Sequence, residues 1–412
     1  MLLNEARARS YLERCELDAI IATSPVNIRY LTEYCCWLDP LMKQYMISPG
    51  APNRIFQAYA VYCRDGETAL IVNPVFAANA VDLGVSDLRS YGDPDVHRVD
   101  SAAPTEEQLQ TLDGLLAESN ADENPTEALL SVLRDRGLDD ARLGLEIEPL
   151  PDVYRKLIEA SIPDAQIRDC TNLFRLIRMV KSAEEVERLT AAAAISETAG
   201  LASVRSMING TNLSAAIQDY RAQVAASGAD FEHFIYSLRG MGLAQEPDYT
   251  LAEDDILCVD FGCIYKGYFS DTGLTIEMPR APREMRDRYG DLQVCMADAI
   301  DCVRPGVRSS TVQEAMQATM AARGVIATFP HGHGLGLEIR DYPILVPDNG
   351  LRISDDCVDE PSDLPLEENM VINLEVTVMT PGLGAVEIEQ TFVVTADGSR
   401  ALVEQDRGDT MS

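Results

Sequence analysis

Five residues in the C-terminal half, Asp260, Asp271, His333, Glu375 and Glu389, have the types and spacing of a site for two divalent ions. The carboxylates fall into two pairs, and each pair centres on a turn. Ile256-Leu257-Cys258-Val259-Asp260-Phe261-Gly262 reads as a strand, and Tyr268-Phe269-Ser270-Asp271-Thr272 begins another. A hairpin folded about Tyr265 and Lys266 sets Asp260 directly opposite Asp271, with Cβ atoms about 4.5–5.5 Å apart. The segments Val371–Val376 and Val386–Thr391 flank Thr380-Pro381-Gly382-Leu383-Gly384, whose Pro-Gly is a strong turn signal. Folding about Gly382 sets Glu375 opposite Glu389.

Opposed carboxylates on half-buried strands are unfavourable unless one is protonated or a cation lies between them. Two such pairs plus His333, in Pro330-His331-Gly332-His333-Gly334-Leu335-Gly336, make a mainly hard donor set. It suits Mn²⁺, with Zn²⁺, Co²⁺ or Fe²⁺ also able to bind. The competing reading, that each pair is acidic surface in a very acidic chain, is hard to reconcile with two matching hairpins joined by a His-Gly loop.

The elements that must position these residues are legible in outline. The first half alternates strands and helices, with helix signals from Glu5 to Cys15 and Thr105 to Ser119. A third helix is capped by Thr126 and runs to about Arg134, and a fourth runs from Asp152 to Ala160. Asn27-Ile28-Arg29-Tyr30 and Leu143–Ile147 read as strands. The domain boundary falls near residues 168–172, giving an α/β N-terminal domain (1–170) and an α+β catalytic domain (171–412). In the second, helices from Ala183 to about Met207 and Leu213 to Ala226 precede the first hairpin. Helices from about Arg283 to Val303 and Ser310 to Ala322 precede the second, as an internal pseudo-repeat would.

At these motifs the chain resembles the family of creatinase, prolidase, aminopeptidase P and methionine aminopeptidase, peptidase family M24, with its pita-bread fold. The matching residues are Val259-Asp260-Phe261-Gly262, Gly267-Tyr268-Phe269-Ser270-Asp271, Gly332-His333-Gly334-Leu335-Gly336-Leu337-Glu338, Asn373-Leu374-Glu375 and Glu387-Ile388-Glu389. Residues 17–32 are similar to the creatinase/prolidase-type N-terminal domain, and residues 176–185 to the joint that follows it. The resemblance implies that all five residues are ligands to two metal ions and that Asp271 and Glu389 bridge them. It further implies that Glu375 takes a proton from a bridging water, that the substrate is a short peptide of the Xaa-Pro type, and that the protein is a homodimer.

The departures from the family pattern bear on substrate. The family's peptidases carry a second histidine at the place of Arg340, seven residues beyond His333. They carry another before the first aspartate, in the loop spanning residues 242–248, where Gln245 and Glu246 are the nearest stand-ins. His331 offers some proton-transfer capacity, or packs as a structural histidine. Arginine does not shuttle protons near neutral pH, but it binds a carboxylate or oxyanion through paired hydrogen bonds. Arg340 therefore either anchors the substrate or forms an ion pair with Asp341 or Glu387. Trp37, the only tryptophan, is a pocket candidate across a dimer, with a core or interface role as the alternative.

Composition bounds the remaining possibilities. The chain has 412 residues, room for two or three domains, and no apolar run long enough to span a membrane. Its start lacks the pattern of a secretory signal, and its ten cysteines form no CxxC pair, so a reducing cytoplasm is expected. The net charge is −33 and only four lysines occur, which disfavours nucleic acid and anionic membranes. Such acidity keeps a protein soluble at the cost of self-repulsion, a pattern suited to a high-salt cytoplasm.

Three function classes follow. The first is a metal-dependent hydrolase of a peptide or amide bond, like an Xaa-Pro dipeptidase or aminopeptidase P. The second is a creatinase-like C–N hydrolase or a metal-dependent lyase acting on a small non-peptide metabolite. The third is a non-catalytic binding protein, which the retention of all five ligands disfavours.

Overall fold

The computed structural model describes residues 2–36, 57–93, 106–118, 121–244 and 248–404. Contacts divide the chain into two units, Met1–Ile177 with Ile353–Asp359, and Arg178–Arg352 with Glu360–Ser412. Trp37, Gln245 and Glu246 lie outside the described residues.

In the first unit, one sheet, apolar in its middle and more polar at its two edges, is built from short strands. They are β1 (Ala19–Ala22), β2 (Tyr59–Cys63), β3 (Thr68–Val72), β4 (Asp87–Ser90), β5 (Arg142–Leu145) and β6 (Gln166–Asp169), in the order β4-β3-β2-β1-β5-β6. The helices are α1 (Glu5–Arg14), α2 (Pro25–Thr32), α3 (Glu107–Glu118), α4 (Pro125–Asp135), α5 (Asp152–Ser161) and α6 (Thr171–Arg178). Ile21, Val61, Leu129, Leu133 and Leu143 form part of a buried core between sheet and helices.

Two local expectations fail here. Asn27-Ile28-Arg29-Tyr30 is helical, within α2, where a strand was expected. Ser24 caps the helix by accepting from the Asn27 amide at 3.1 Å, and Pro25 occupies its first turn. The Glu146 carboxylate then fixes the β1–α2 junction, accepting from the amides of Thr23 (2.7 Å) and Ser24 (2.8 Å) and from Asn27 Nδ2 (2.6 Å). In α4 the cap is Asn124 in place of Thr126, because its Oδ1 accepts from the amides of both Thr126 and Glu127.

The second unit opens with α7 (Ala183–Arg205), started by a capping box in which Ser182 and Glu185 satisfy each other's backbone amides. There follow α8 (Leu213–Ala226), β7 (Asp230–Ser237), β8 (Leu243–Ala244), β9 (Ile256–Tyr265), β10 (Tyr268–Phe269) and β11 (Thr272–Glu277). Then come α9 (Arg283–Cys302), α10 (Ser309–Ala322), β12 (His331–Gly334), β13 (Asp341–Leu345), the short strands β14 (Arg352–Ser354) and β15 (Asp359–Pro361), β16 (Val371–Thr380), β17 (Gly384–Val394) and β18 (Ser399–Ala401). One sheet runs β10-β9-β7-β8 with β11 also on β9, and the other runs β13-β12-β16-β17-β18. Helix pair and hairpin thus occur twice.

The two hairpins meet through β11 and β17. Thr275 Oγ1 donates to the Glu387 carbonyl at 2.9 Å and accepts from the Glu387 amide at 2.8 Å. Thr391 Oγ1 donates to the Asp271 carbonyl at 3.2 Å. Behind β9, Phe234 and Phe261 stack at 5.6 Å and Tyr220 sits 5.3 Å from each, holding the apolar face of the first hairpin against α7 and α8. Among the described residues no disulfide forms, most of the cysteines are buried, and no helix is long and apolar enough to cross a membrane.

Candidate metal centre

The first hairpin turns on Lys266 (φ +48°) and Gly267 (φ +85°), both left-handed, as a tight two-residue hairpin turn requires. The turn is centred one residue later than its sequence suggested, so every cross-strand partner shifts by two. Asp260 faces Gly273, and Thr272 faces Phe261. Asp271, just before β11, therefore lies diagonal to Asp260 on the same face of the hairpin, not directly opposite it. The second hairpin pairs Glu375 with Glu389 across β16 and β17. Strand β12 adds the histidines, with His331 opposite Glu375 and His333 opposite Asn373.

These strands bring Asp260, Asp271, His333 and Glu389 together. Nε2 of the buried His333 lies 3.4 Å from Asp271 Oδ2, and its Nδ1 is 3.0 Å from the Gly334 carbonyl. Asn373 Nδ2 donates to Glu389 Oε1 at 2.6 Å. Two groups of three residues have ligand atoms all within 4.8 Å of one another: Asp271, His333 and Glu389, and also His233, Asp260 and Asp271. Asp271 belongs to both. Glu375 lies at the rim, where its Oε1 is contacted closely by His331 Nε2 and lies 3.4 Å from Arg340 Nη2. Arg340 Nη2 is also 3.3 Å from His331 Nε2.

Arg340 makes neither of the ion pairs weighed for it. Asp341 is buried against Arg178 (3.3 Å) and Lys181 (3.6 Å), and the buried Glu387 accepts from the Thr377 hydroxyl.

Sequence reasoning passed over His233. It lies far upstream of Asp260, outside the loop of residues 242–248, yet its Nε2 is 2.8 Å from Asp260 Oδ1 and 3.6 Å from Asp271 Oδ1. The available signal was Glu232-His233, two polar neighbours interrupting the alternation of Phe231-Glu232-His233-Phe234.

The electrostatics show what the cluster needs. Burial, and then repulsion from Asp271 and Glu375, pushes Asp260 up to about 6. Glu389 is raised well above the carboxylate range by burial and by Asp271 and Asp260, and Glu387 by burial and Asp260. Burial lowers His233, but the Asp260 and Glu232 carboxylates outweigh it and raise it to about 10. Burial likewise lowers His331, and Glu375 outweighs that and raises it. Carboxylates crowded this way hold protons or cations. The packing also fits ions. A Cβ on Gly273 would lie 2.8 Å from Glu389 Oε2 and 2.9 Å from Glu387 Cδ, so the glycine leaves the room in which the carboxylates converge. Oxygen donors with imidazole suit Mn²⁺, Zn²⁺, Co²⁺ or Fe²⁺.

Comparison with known proteins places the chain in a family. Residues 184–396 match the model of metallopeptidase family M24. The chain belongs to metallopeptidase family M24. Residues 6–180 match the creatinase/prolidase N-terminal domain, so this M24 protein joins that domain to a pita-bread catalytic domain. It is an enzyme, a metal-dependent peptidase by family. It is 27% identical over 269 residues to the uncharacterized peptidase YqhT of Bacillus subtilis, covering 63% of this chain and 72% of that one. It is 23% identical over 405 residues to an Xaa-Pro dipeptidase of Lactobacillus delbrueckii, covering 96% and 95%. Its fold is similar to that of the Xaa-Pro dipeptidase from Bacillus anthracis (TM-score 0.73, 18% identity, 97% of each chain). It is also similar to the prolidase from Pyrococcus furiosus (TM-score 0.68, 18% identity, 97% and 100%).

Proposed function

We propose that this M24 enzyme is a dinuclear hydrolase of short peptides, cleaving the bond before proline in Xaa-Pro substrates. Asp260, Asp271, His333, Glu375 and Glu389 would hold two divalent ions, Mn²⁺ foremost. The observation that carries this reading is the membership of Asp271 in both ligand groups, which suits a carboxylate bridging two ions. The Xaa-Pro class rests on relatives such as the Lactobacillus dipeptidases.

Bound ions of this kind supply Lewis acidity, making a water more acidic and polarising a carbonyl. The chain's own residues do the rest. Glu375 Oε1 accepts the proton of the attacking water, and His331 Nε2, in contact with that oxygen, relays it towards the leaving amine. Arg340, with its side chain 57% exposed, holds the substrate carboxylate or the developing oxyanion where the family's peptidases have histidine. Residues 171–412 carry this chemistry, and Trp37, Gln245 and Glu246 are further substrate contacts, in a homodimer of the cytoplasm. Exchange of histidine for Arg340 favours a second reading, a creatinase-like C–N hydrolase or lyase acting on a small carboxylate-bearing metabolite.

Assay of the Mn²⁺-supplemented protein on Xaa-Pro dipeptides separates the two. Cleavage of the peptides supports the first reading, and metal-loaded protein inert towards them supports the second.

A further inference from the structure

We propose that His233 is a protein ligand to the ion held by Asp260 and Asp271, with Glu232 orienting its ring, so that each metal position has its own imidazole. This rests on the two-ion reading above and adds a ligand that the family motifs do not contain.

The backbone shows how His233 arrives there. Along the β7–β9 ladder Phe231 pairs with Cys263, but His233 pairs with Gly262, so Glu232 is an extra residue and β7 carries a bulge. A one-residue slip moves side chains to the opposite face of a strand. In unbroken register His233 would face Phe261 and point into the Tyr220–Phe234–Phe261 core. With the bulge it shares the face of Gly262 and Asp260, while Phe234 takes the place opposite Phe261.

The side-chain setting is that of a ligand. Nε2 points at Asp260 Oδ1 (2.8 Å) and Asp271 Oδ1 (3.6 Å). On the other side of the ring, Nδ1 is in close contact with Glu232 Oε2. A carboxylate on the distal nitrogen is the usual outer partner of a metal-bound histidine, because it fixes the tautomer that leaves Nε2 its lone pair. The residue beneath the ring is also specific. A Cβ on Gly262 would fall 2.7 Å from His233 Cε1 and 2.4 Å from the Ser270 carbonyl. His333 is arranged alike, with Nδ1 on the Gly334 carbonyl and Nε2 towards Asp271. Nitrogen at both positions moves preference from Mn²⁺ towards Zn²⁺ and Co²⁺.

The test is Co²⁺ titration of metal-free full-length protein, followed by calorimetry and by the visible spectrum, for the wild type, His233→Ala and Glu232→Gln. Circular dichroism of the metal-free forms checks that they fold. Two ions are expected for the wild type. In His233→Ala one of them should weaken by more than about 100-fold with loss of its spectral band, the other staying unchanged. Glu232→Gln should weaken the same ion by about 10–100-fold. Two ions of unchanged affinity and spectrum in both variants would overturn the assignment and leave the two-ion reading standing. A wild type that binds no ion would overturn both.

Discussion

Asp271 reaches both imidazoles of the centre: its Oδ2 lies 3.4 Å from Nε2 of His333, and its Oδ1 lies 3.6 Å from Nε2 of His233. One carboxylate thus joins β7 of one sheet to β12 of the other, two strands far apart in sequence. Asp271→Asn should weaken both ions by more than the roughly 10–100-fold cost of losing an outer partner. Peptidase activity should fall at least in proportion. Equilibrium dialysis followed by metal analysis reads the loss, and unchanged retention of either ion would show that Asp271 serves only one.

Arg340 and Glu387 should behave independently. Arg340 reaches His331 and Glu375, whereas Glu387 is buried beside Thr377. In a double-mutant cycle the pair Arg340→Glu and Glu387→Arg should show no rescue, with a coupling energy below about 0.5 kcal/mol. Recovery of activity in the double variant would restore an ion pair between Arg340 and Glu387. Arg340→Ala should raise KM for substrates with a free carboxylate more than for their amides.

Stability should fall with rising pH through one buried acid. Glu185 is pushed up to about 7, chiefly by burial, against the opposing pull of Lys181. The folded chain therefore holds this proton more tightly than the unfolded chain, whose glutamate titrates near 4.5. Stability from this group is fully present below about 4.5 and declines as pH rises to about 7, by on the order of 3 kcal/mol. Urea unfolding at a series of pH values should show the decline, and Glu185→Gln should flatten it. An equal slope in the variant would assign the effect elsewhere.

Salt should stabilise the protein. With a net charge of −33 in 412 residues, self-repulsion is large at low ionic strength. Raising KCl from about 0.05 M to about 2 M shortens the screening length from roughly 14 Å to a few Å and should lift the melting temperature by several degrees. A flat profile would remove the argument for a high-salt cytoplasm.

The sequence made some of this site legible and hid the rest for physical reasons. Glu375 opposite Glu389 follows from Pro381-Gly382, because a turn marked that strongly fixes the register on both sides. The start of α7 is likewise written in Ser182 and Glu185. The first hairpin was misplaced because Lys266 adopts the left-handed conformation, which a lysine does not advertise. Residues 27–30 look strand-like from Ile28 and Tyr30, although Ser24-Pro25 is a helix-start signal. His233 leaves only the weak Glu232-His233 signal, because a one-residue bulge decides which face it occupies.

The central claim is that two ions share Asp271, and metal stoichiometry tests it most directly. Protein purified, stripped and reloaded with Mn²⁺ or Co²⁺ should hold two ions per chain by elemental analysis, with Asp271→Asn losing both. A wild type that saturates at one ion, or an Asp271→Asn variant that still holds two, would contradict it.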